Sequence, residues 1–552
     1  MQTDAQIELP ESAAAPAARA EATPERISRA AWALLTGLAI GYAGSVLFLN
    51  TLIGISYPLF ILLLVLAAAL AARRAGVSLR PRNLWLALPA LFFAAMVALR
   101  AQSSLRDANM LLALAFGALW LYFLPSRQRF DEATVSEYAA SIAHISINTL
   151  SAPARELGYV PEWLRSRGSA RSRTALAVVR GVLLAIPVLL VFAVLLSTAD
   201  AVFSRALHDF GEALGFGRTD ILRQVSWIAL FGWFGSGVAA QAMRGVPDPS
   251  TPVEAQDRPA AHPKRQPFTL SIIEAGIVLG GVNLMFIVFV LIQFRYFFGG
   301  DANIAVEGLT YAEYARRGFF ELVAVAVLTL VLVLALDWVT VRSGACQHRL
   351  FRGLALVLVA LVGVMMFSAS QRMNLYQDAY GYTPLRVYVS VLIPWLALLF
   401  GFFVLTLMRA RERIFSIGAL VCAIGFGAHI NLMNVEGTIA QRNIDRYRAG
   451  EALDGALLWG FSVDAFEPMW ALYRNEDVPG EVRGFAANWL YTRYQVLMQQ
   501  HQGAGSTIFS AHWARDQAYA RLSSSEFATG MPVFSDTGSG SWYFEGRGTG
   551  GR

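Results

Sequence analysis

The residues with chemistry to offer gather around one stretch, Asn283 to Leu322, reading NLMFIVFVLIQFRYFFGGDANIAVEGLTYAEYARRGFFEL. It begins as an apolar helix carrying Gln293 and Arg295, and it stops at Gly299-Gly300, where glycine ends a helix at little steric cost. Thr310 and Glu313 read as a capping box, which satisfies otherwise orphan amide donors and starts a second helix. That helix carries Tyr311, Tyr314, Arg317 and Glu321, then continues into the apolar run LVAVAVLTLVLVLAL. The design recurs downstream in QRMNLYQDAYGYTPLRVYV, where Gln371, Asn374 and Asp378 share one helix face beside Arg372. Gly381 ends that helix, Thr383 and Pro384 start the next as N-cap and first-turn proline, and Arg386 lies in its first turn. His429 and Asn431 close a later apolar run.

Ionisable groups at the edge of a membrane cost free energy unless paired or wetted, and so default to ligand or pathway sites. The expectation is therefore one polar cluster at a single membrane face, made of Gln293, Arg295, Tyr311, Tyr314, Arg317, Glu321, Gln371, Arg372, Asn374, Asp378, Arg386, His429 and Asn431. Arg317, Glu321, Arg372, Asp378 and Arg386 are expected to meet, because opposite charges at one depth pair to avoid unpaired desolvation. A plainer reading is that helix ends turn polar where they leave lipid, and it explains any single member equally well. Asn283, deeper in its span, is expected to bond a neighbouring helix. The Gly280-Gly281 pair reads as helix packing.

The elements that must position these residues are membrane spans. Of the 552 residues, 56% are hydrophobic and only 15% charged, with a mean hydropathy of +0.47. Apolar runs exceed the roughly 20 residues needed to cross about 30 Å of hydrocarbon. About eleven are legible: Ala30–Leu49, Leu52–Ala72, Leu84–Leu99, Leu105–Leu124, Leu176–Ser197, Leu222–Met243, Leu270–Phe298, Gly318–Val341, Leu354–Ser370, Arg386–Met408 and Ile414–Met433. The fold class is thus all-α, a polytopic transmembrane helix bundle. Residues 1–29, rich in Ala, Pro and Glu, read as a disordered N-terminus. The bundle occupies 30–434 with long cytoplasmic loops at 125–175 and 244–269, the first holding an amphipathic helix, marked by Val135, Tyr138, Ile142 and Ile145, that is expected to lie on the membrane. Residues 435–525 read as a small helical domain, and 526–552 as a flexible Gly-rich tail.

The charge of +6 rests on arginine, with Lys264 the only lysine. Arginines crowd alternate connections, including Arg73, Arg74, Arg129, Arg155, Arg244, Arg342, Arg409 and Arg413, while the opposite loops are poor in them. That asymmetry places the N-terminus in the cytoplasm and the segment after Met433 outside. Topology explains the basic excess, so nucleic acid is excluded as a partner; the bilayer, and an extracytoplasmic ligand or protein, remain. Two cysteines, Cys346 and Cys422, exclude a disulfide framework. The seven histidines show no metal-ligand spacing, and no phosphate loop or nucleophile elbow appears, so no cofactor, metal or catalytic residue is implied.

Four segments carry a family resemblance: STADAVF (197–203), the run from Glu274 to Gly300, TYAEYARRGFFEL (310–322) and QRMNLYQDAYGYTPLRVYV (371–389). Over residues 176–434 the chain resembles the bacterial membrane family catalogued as domain of unknown function 4173. The resemblance implies a bacterial multi-pass membrane protein and no activity. Three functional classes follow: a binding, sensing or assembly protein; a transporter or flippase of a small solute or lipid; and an enzyme acting on a lipid-linked substrate. The first ranks highest, since no inverted repeat supports transport and the first outer loop, little more than Asn50-Thr51, lacks the acidic residues of such enzymes.

Overall fold

The computed structural model describes residues 24–49, 51–77, 79–125, 129–159, 219–244, 270–298, 319–409, 412–503, 506–530 and 543–545. Its elements are almost all helices. A first group comprises α1 (Pro24–Phe48), α2 (Ser56–Arg74), a short α3 (Pro81–Leu84) leading into α4 (Ala87–Leu99), α5 (Ser103–Phe123), α6 (Val135–Leu157) and α7 (Thr219–Met243), built on one hydrophobic cluster. A second comprises α8 (Ile272–Phe298), α9 (Phe319–Val339), α10 (Ala345–Tyr380) and α11 (Pro384–Arg409). α12 (Glu412–Met433) joins the two, with Phe415 in the second cluster and Leu420 and Ile424 against the first.

Among the described residues, eight helices are long and apolar enough to cross a membrane: Glu25–Phe48, Ser56–Arg74, Pro81–Leu99, Ile272–Ile292, Glu321–Val339, Ala345–Tyr380, Pro384–Arg409 and Arg413–Met433. The fold is an all-α polytopic bundle, as the composition requires. Two further expected spans are helical over α5 and α7, and the one at 176–197 lies outside the described residues. So do the glycine break at 299–300, the capping box at 310–313 and the linker at 245–267.

Close packing in the first group depends on missing side chains. Gly37 and Gly41 of α1 face Gly232 and Ser236 of α7, and Gly44 faces Phe231, so closely that a Cβ on Gly41 would lie 2.3 Å from the Ile228 carbonyl oxygen. Without a hydrophobic drive between helices in lipid, such van der Waals contact is what holds them. Among the described residues, nothing lies within 4 Å of a Cβ added at Gly280 or Gly281, the pair expected to do this work. Asn283 behaves as expected, donating from Nδ2 to the Leu354 carbonyl of α10 at 3.0 Å. α6 is capped by the reciprocal Thr134 and Glu137 bonds and buries Tyr138, Ser141, Ile145 and Thr149 against the bundle.

The helix ends sort into two groups. Arg74 lies 3.7 Å over Trp32, Arg82 pairs with Asp131, Arg413 with Glu132 and Arg244 with Glu156, at the arginine-rich end. At that end too, Leu270 bridges Thr340 and returns α9 to the start of α8. The opposite end carries the rest of the chain: α13 (Val435–Arg448), α14 (Gly455–Trp459), α15 (Phe466–Arg474), α16 (Gly480–Gln502) and α17 (Trp513–Ser523). These helices, here termed the cap, close around Met469, Trp489, Leu490 and Phe527, in a cluster that also takes in Leu105, Val387, Val391 and Ile430 from the bundle.

Two expectations at the chain ends are corrected. α1 already begins at Pro24, within the segment read as disordered. The tail read as flexible from 526 is pinned where it is described: Phe527 is buried between Trp470 and Tyr473, and β2 (Tyr543–Phe544) pairs antiparallel with β1 (Leu453–Asp454). Both aromatics fill gaps in the cap core that polar and glycine-rich surroundings conceal in the sequence.

Candidate functional site

The sequence-derived cluster divides by what the structure describes. Tyr311, Tyr314 and Arg317 lie outside the described residues, and of Gln293 and Arg295 only the backbone, in the last turns of α8, is described. Glu321 is exposed on the first described turn of α9. On α10, Arg372 is buried, Gln371 half-buried, and Asn374 and Asp378 exposed. The α10–α11 turn forms as its residues dictate: Gly381 takes φ 78°, open to glycine, and Pro384 opens α11.

Arg386 reaches back across that turn. Its guanidinium donates to the carbonyls of Tyr380 at 3.1 Å and Gly381 at 2.6 Å, and to the Tyr376 hydroxyl at 3.0 Å. Arg446 of α13 donates to the Asp378 carbonyl at 2.7 Å, and Asn443 exchanges two 2.8 Å bonds with the backbone of Tyr382. Two arginines therefore complement the negative end of α10 through its carbonyls, as a helix C-terminus favours. Among the described residues, Glu321, Asp378 and Arg386 form no ion pair. His429, on the exposed side of α12, accepts at Nδ1 from Trp395 Nε1 at 3.3 Å. Asn431 is buried and faces α5, exchanging bonds of 2.7 and 2.8 Å with Asn109.

That Asn109–Asn431 pair leads into a site the sequence did not reveal. Above it, Arg100 donates from Nε to the Asn431 carbonyl at 2.7 Å, tying the end of α4 to the end of α12. Asn434 follows in the left-handed region at φ 51°, the only described non-glycine residue with positive φ. Asparagine tolerates that conformation, and here its Oδ1 caps α13 through the Gly437 amide while Nδ2 donates to the Asp464 carbonyl at 2.9 Å.

Asp464, 7% exposed, then accepts at Oδ2 from the amides of Ala101 and Gln102 at 2.9 and 3.0 Å. Glu436, 6% exposed, accepts at Oε2 from the Ser462 amide and hydroxyl at 2.8 and 2.6 Å. Burial pushes both carboxyls up, Asp464 against its two amides and Arg100, and Glu436 against Ser462. The Glu436 carboxyl is raised further by Asp464 and lowered by Arg493, whose Nη2 holds the carbonyls of Trp459 and Phe461.

His512 completes the junction from the far end of the cap. It is 2% exposed, its Nε2–H donates to the Arg100 carbonyl at 3.2 Å, and its Nδ1 accepts from the Arg515 amide at 3.5 Å as the cap of α17. Burial, with Arg515 and Arg106 nearby, lowers its pKa from the ordinary 6.5 to about 4. The neutral ring is therefore the folded form, and both nitrogens are committed to backbone.

Chemically this arrangement is a latch. No hydroxyl or thiol nucleophile meets the histidine, and among the described residues no three His, Cys, Asp or Glu gather as a metal site. An apolar cavity of about 210 Å³ between α2, α5, α6 and α7, lined by Ile61, Leu64, Gly117, Ile145 and Phe234, holds no titratable group. The sequence signal for the latch is faint but real. Asp464 stands alone in the apolar FSVDAF, and Glu436 directly follows a span, where a lone acid among buried positions marks a bonded carboxylate.

No curated protein and no solved structure matches the chain. The resemblance to domain of unknown function 4173 is overturned: the family model that matches, over residues 87–472, is a different one. That stretch runs from the start of α4 into α15, so Arg100, Asn109, Asn431, Asn434, Glu436 and Asp464 fall inside it, whereas His512 does not. With well over half its length matched, the chain belongs to the family described as Domain of unknown function (DUF4153).

Proposed function

We propose that the chain is a multi-pass protein of a bacterial cytoplasmic membrane that works by binding, sensing or assembly, with its arginine-rich end in the cytoplasm and its cap outside. The observation that supports this is the latch: Asp464, Arg446 and His512 of the cap spend polar atoms on the ends of α4 and α10, and Asn434, at the end of α12, spends its own on Gly437 and Asp464 of the cap. A ligand or partner engaging the cap is thereby mechanically coupled to the spans. Retention of arginine in the cytoplasm supplies the orientation. The polar cluster at the cap end is the proposed ligand-facing surface, with Glu321, Asn374, Asp378 and His429 its exposed described members.

Photo-crosslinking residues placed in cells at Asn374 and Asp378 test this, with the lipid-level Leu328, 66% exposed, as reference. The expected result is a discrete adduct with a solute or envelope protein from 374 and 378, and lipid alone from 328. Lipid alone from all three positions removes the binding reading. Solute flux by the purified chain in liposomes, with no adduct, moves transport ahead of it.

A further inference from the structure

The cap carries an apolar edge that none of its own contacts uses. Ile508 is 81% exposed and Trp513 61% exposed, on either side of a loop that docks against the α1–α2 connection. The docking is tight: the Ile55 amide donates to the Ala511 carbonyl at 2.9 Å, and Arg515 donates to the carbonyl of Ile53. A Cβ on Gly54 would fall 2.3 Å from the Ala511 carbonyl oxygen, so backbone lies on backbone there. Between the two exposed residues, Phe509 turns inward and packs against the hydrophobic cluster of the first helix group.

The level of this loop follows from what it touches. Ser56 begins a candidate span, so Ile53 and Ile55 lie where that span leaves hydrocarbon. Ile55, Leu59, Leu62, Leu66 and Leu70 are all exposed and recur at helical spacing, forming the face that α2 turns to lipid. The loop at 508–513 sits at the head of that face.

A second observation is independent of the first. Tryptophan concentrates at membrane interfaces, where its amphipathic ring spans the boundary. Among the described residues the exposed tryptophans are Trp32, Trp85, Trp338 and Trp513. The first three stand beside Arg74, Arg82 and Arg342 at the arginine-rich end. The spans provide no exposed tryptophan among the described residues at the other end; the cap does.

We infer that residues 507–513 form a membrane foot of the cap, with Ile508 and Trp513 seated in the headgroup–acyl boundary of the bilayer beside α2. The foot holds the cap at a fixed height over the bundle, through Phe509 to protein and through Ile508 and Trp513 to lipid.

The inference rests on α2 spanning the membrane, and the test separates the two. In the full chain carrying Cys346→Ser and Cys422→Ala, single spin labels at I508C and W513C are compared in liposomes with L66C on α2 and D477C on an exposed cap loop. Collision with oxygen reports lipid, and collision with a nickel chelate reports water. The expected result is that I508C and W513C match L66C, open to oxygen with nickel collisions lost. Nickel access matching D477C overturns the foot, and shielding from both reagents shows that a protein partner or second copy covers it. If L66C itself is open to nickel, it is the membrane reading of α2 that fails.

Discussion

Asp464 shows how little is needed to join two parts of a membrane protein. One carboxylate oxygen takes two amides from the loop after α4, and the same residue's carbonyl takes Asn434 from the end of α12. We predict that Asp464→Ala lowers the melting temperature of the detergent-purified chain, followed by tryptophan fluorescence. It strands the buried amide of Gln102 and the half-buried amide of Ala101, the former worth roughly 1–3 kcal/mol. Asp464→Asn keeps one acceptor and removes a charge that burial already disfavours, so its loss should be smaller. Equal losses from the two substitutions would refute this account of the residue.

His512 gives the latch a pH dependence of definite sign. Its folded pKa, about 4, lies below the ordinary 6.5. Above pH 6.5 the ring is neutral folded and unfolded, and contributes no slope. As pH falls from 6.5 to 4 the unfolded chain takes the proton first, so stability is lost, reaching about 3 kcal/mol at roughly 1.4 kcal/mol per pH unit. Glu436 and Asp464 act oppositely, since a raised carboxyl pKa costs stability above that pKa and the cost is relieved on acidification. The difference between the native chain and His512→Gln isolates the histidine. It should favour the native chain at pH 7 and narrow steadily towards pH 4; a constant offset would show that His512 does not titrate in this way.

At the scale of elements, the most extensive helix–helix contact among the described residues is the seam between α1 and α7. Gly41→Leu should abolish detergent-stable protein, because its side chain would meet the backbone at Ile228 and Gly232. Gly276→Leu on α8, where no described residue lies within 4 Å of the added Cβ, should be tolerated, as monodisperse elution would show. Loss of both proteins would mean that helix glycines matter for insertion and not for this seam.

Legibility in the sequence tracked periodicity. Apolar runs located the spans, and Gly381 with Pro384 located the turn between α10 and α11, because these signals are local. The amphipathic pattern around Tyr138 and Ile145 likewise announced α6. The seam is not legible because Gly37 and Gly232 are distant in sequence, while the adjacent Gly280-Gly281 pair meets no described residue within 4 Å. The latch was missed for the same reason: Asn109 meets Asn431, and Arg100 meets His512, across several hundred residues that carry no shared pattern.

Taken whole, the molecule is a helix bundle with a helical cap latched across one end, and the arginine-rich connections between spans at the other. The connections touched by the cap, at residues 53–55, 100–102 and 378–382, are the arginine-poor ones throughout. That coincidence supports a single proposed orientation, cap outside and arginines in the cytoplasm. The native Cys346, exposed at the start of α10, reports the arginine-rich end, and Asp477→Cys in a Cys346→Ser background reports the cap. A membrane-impermeant maleimide applied to intact spheroplasts measures both. The account predicts that D477C is labelled at once and Cys346 only after permeabilisation; labelling of Cys346 in intact spheroplasts, with D477C protected until lysis, would contradict it.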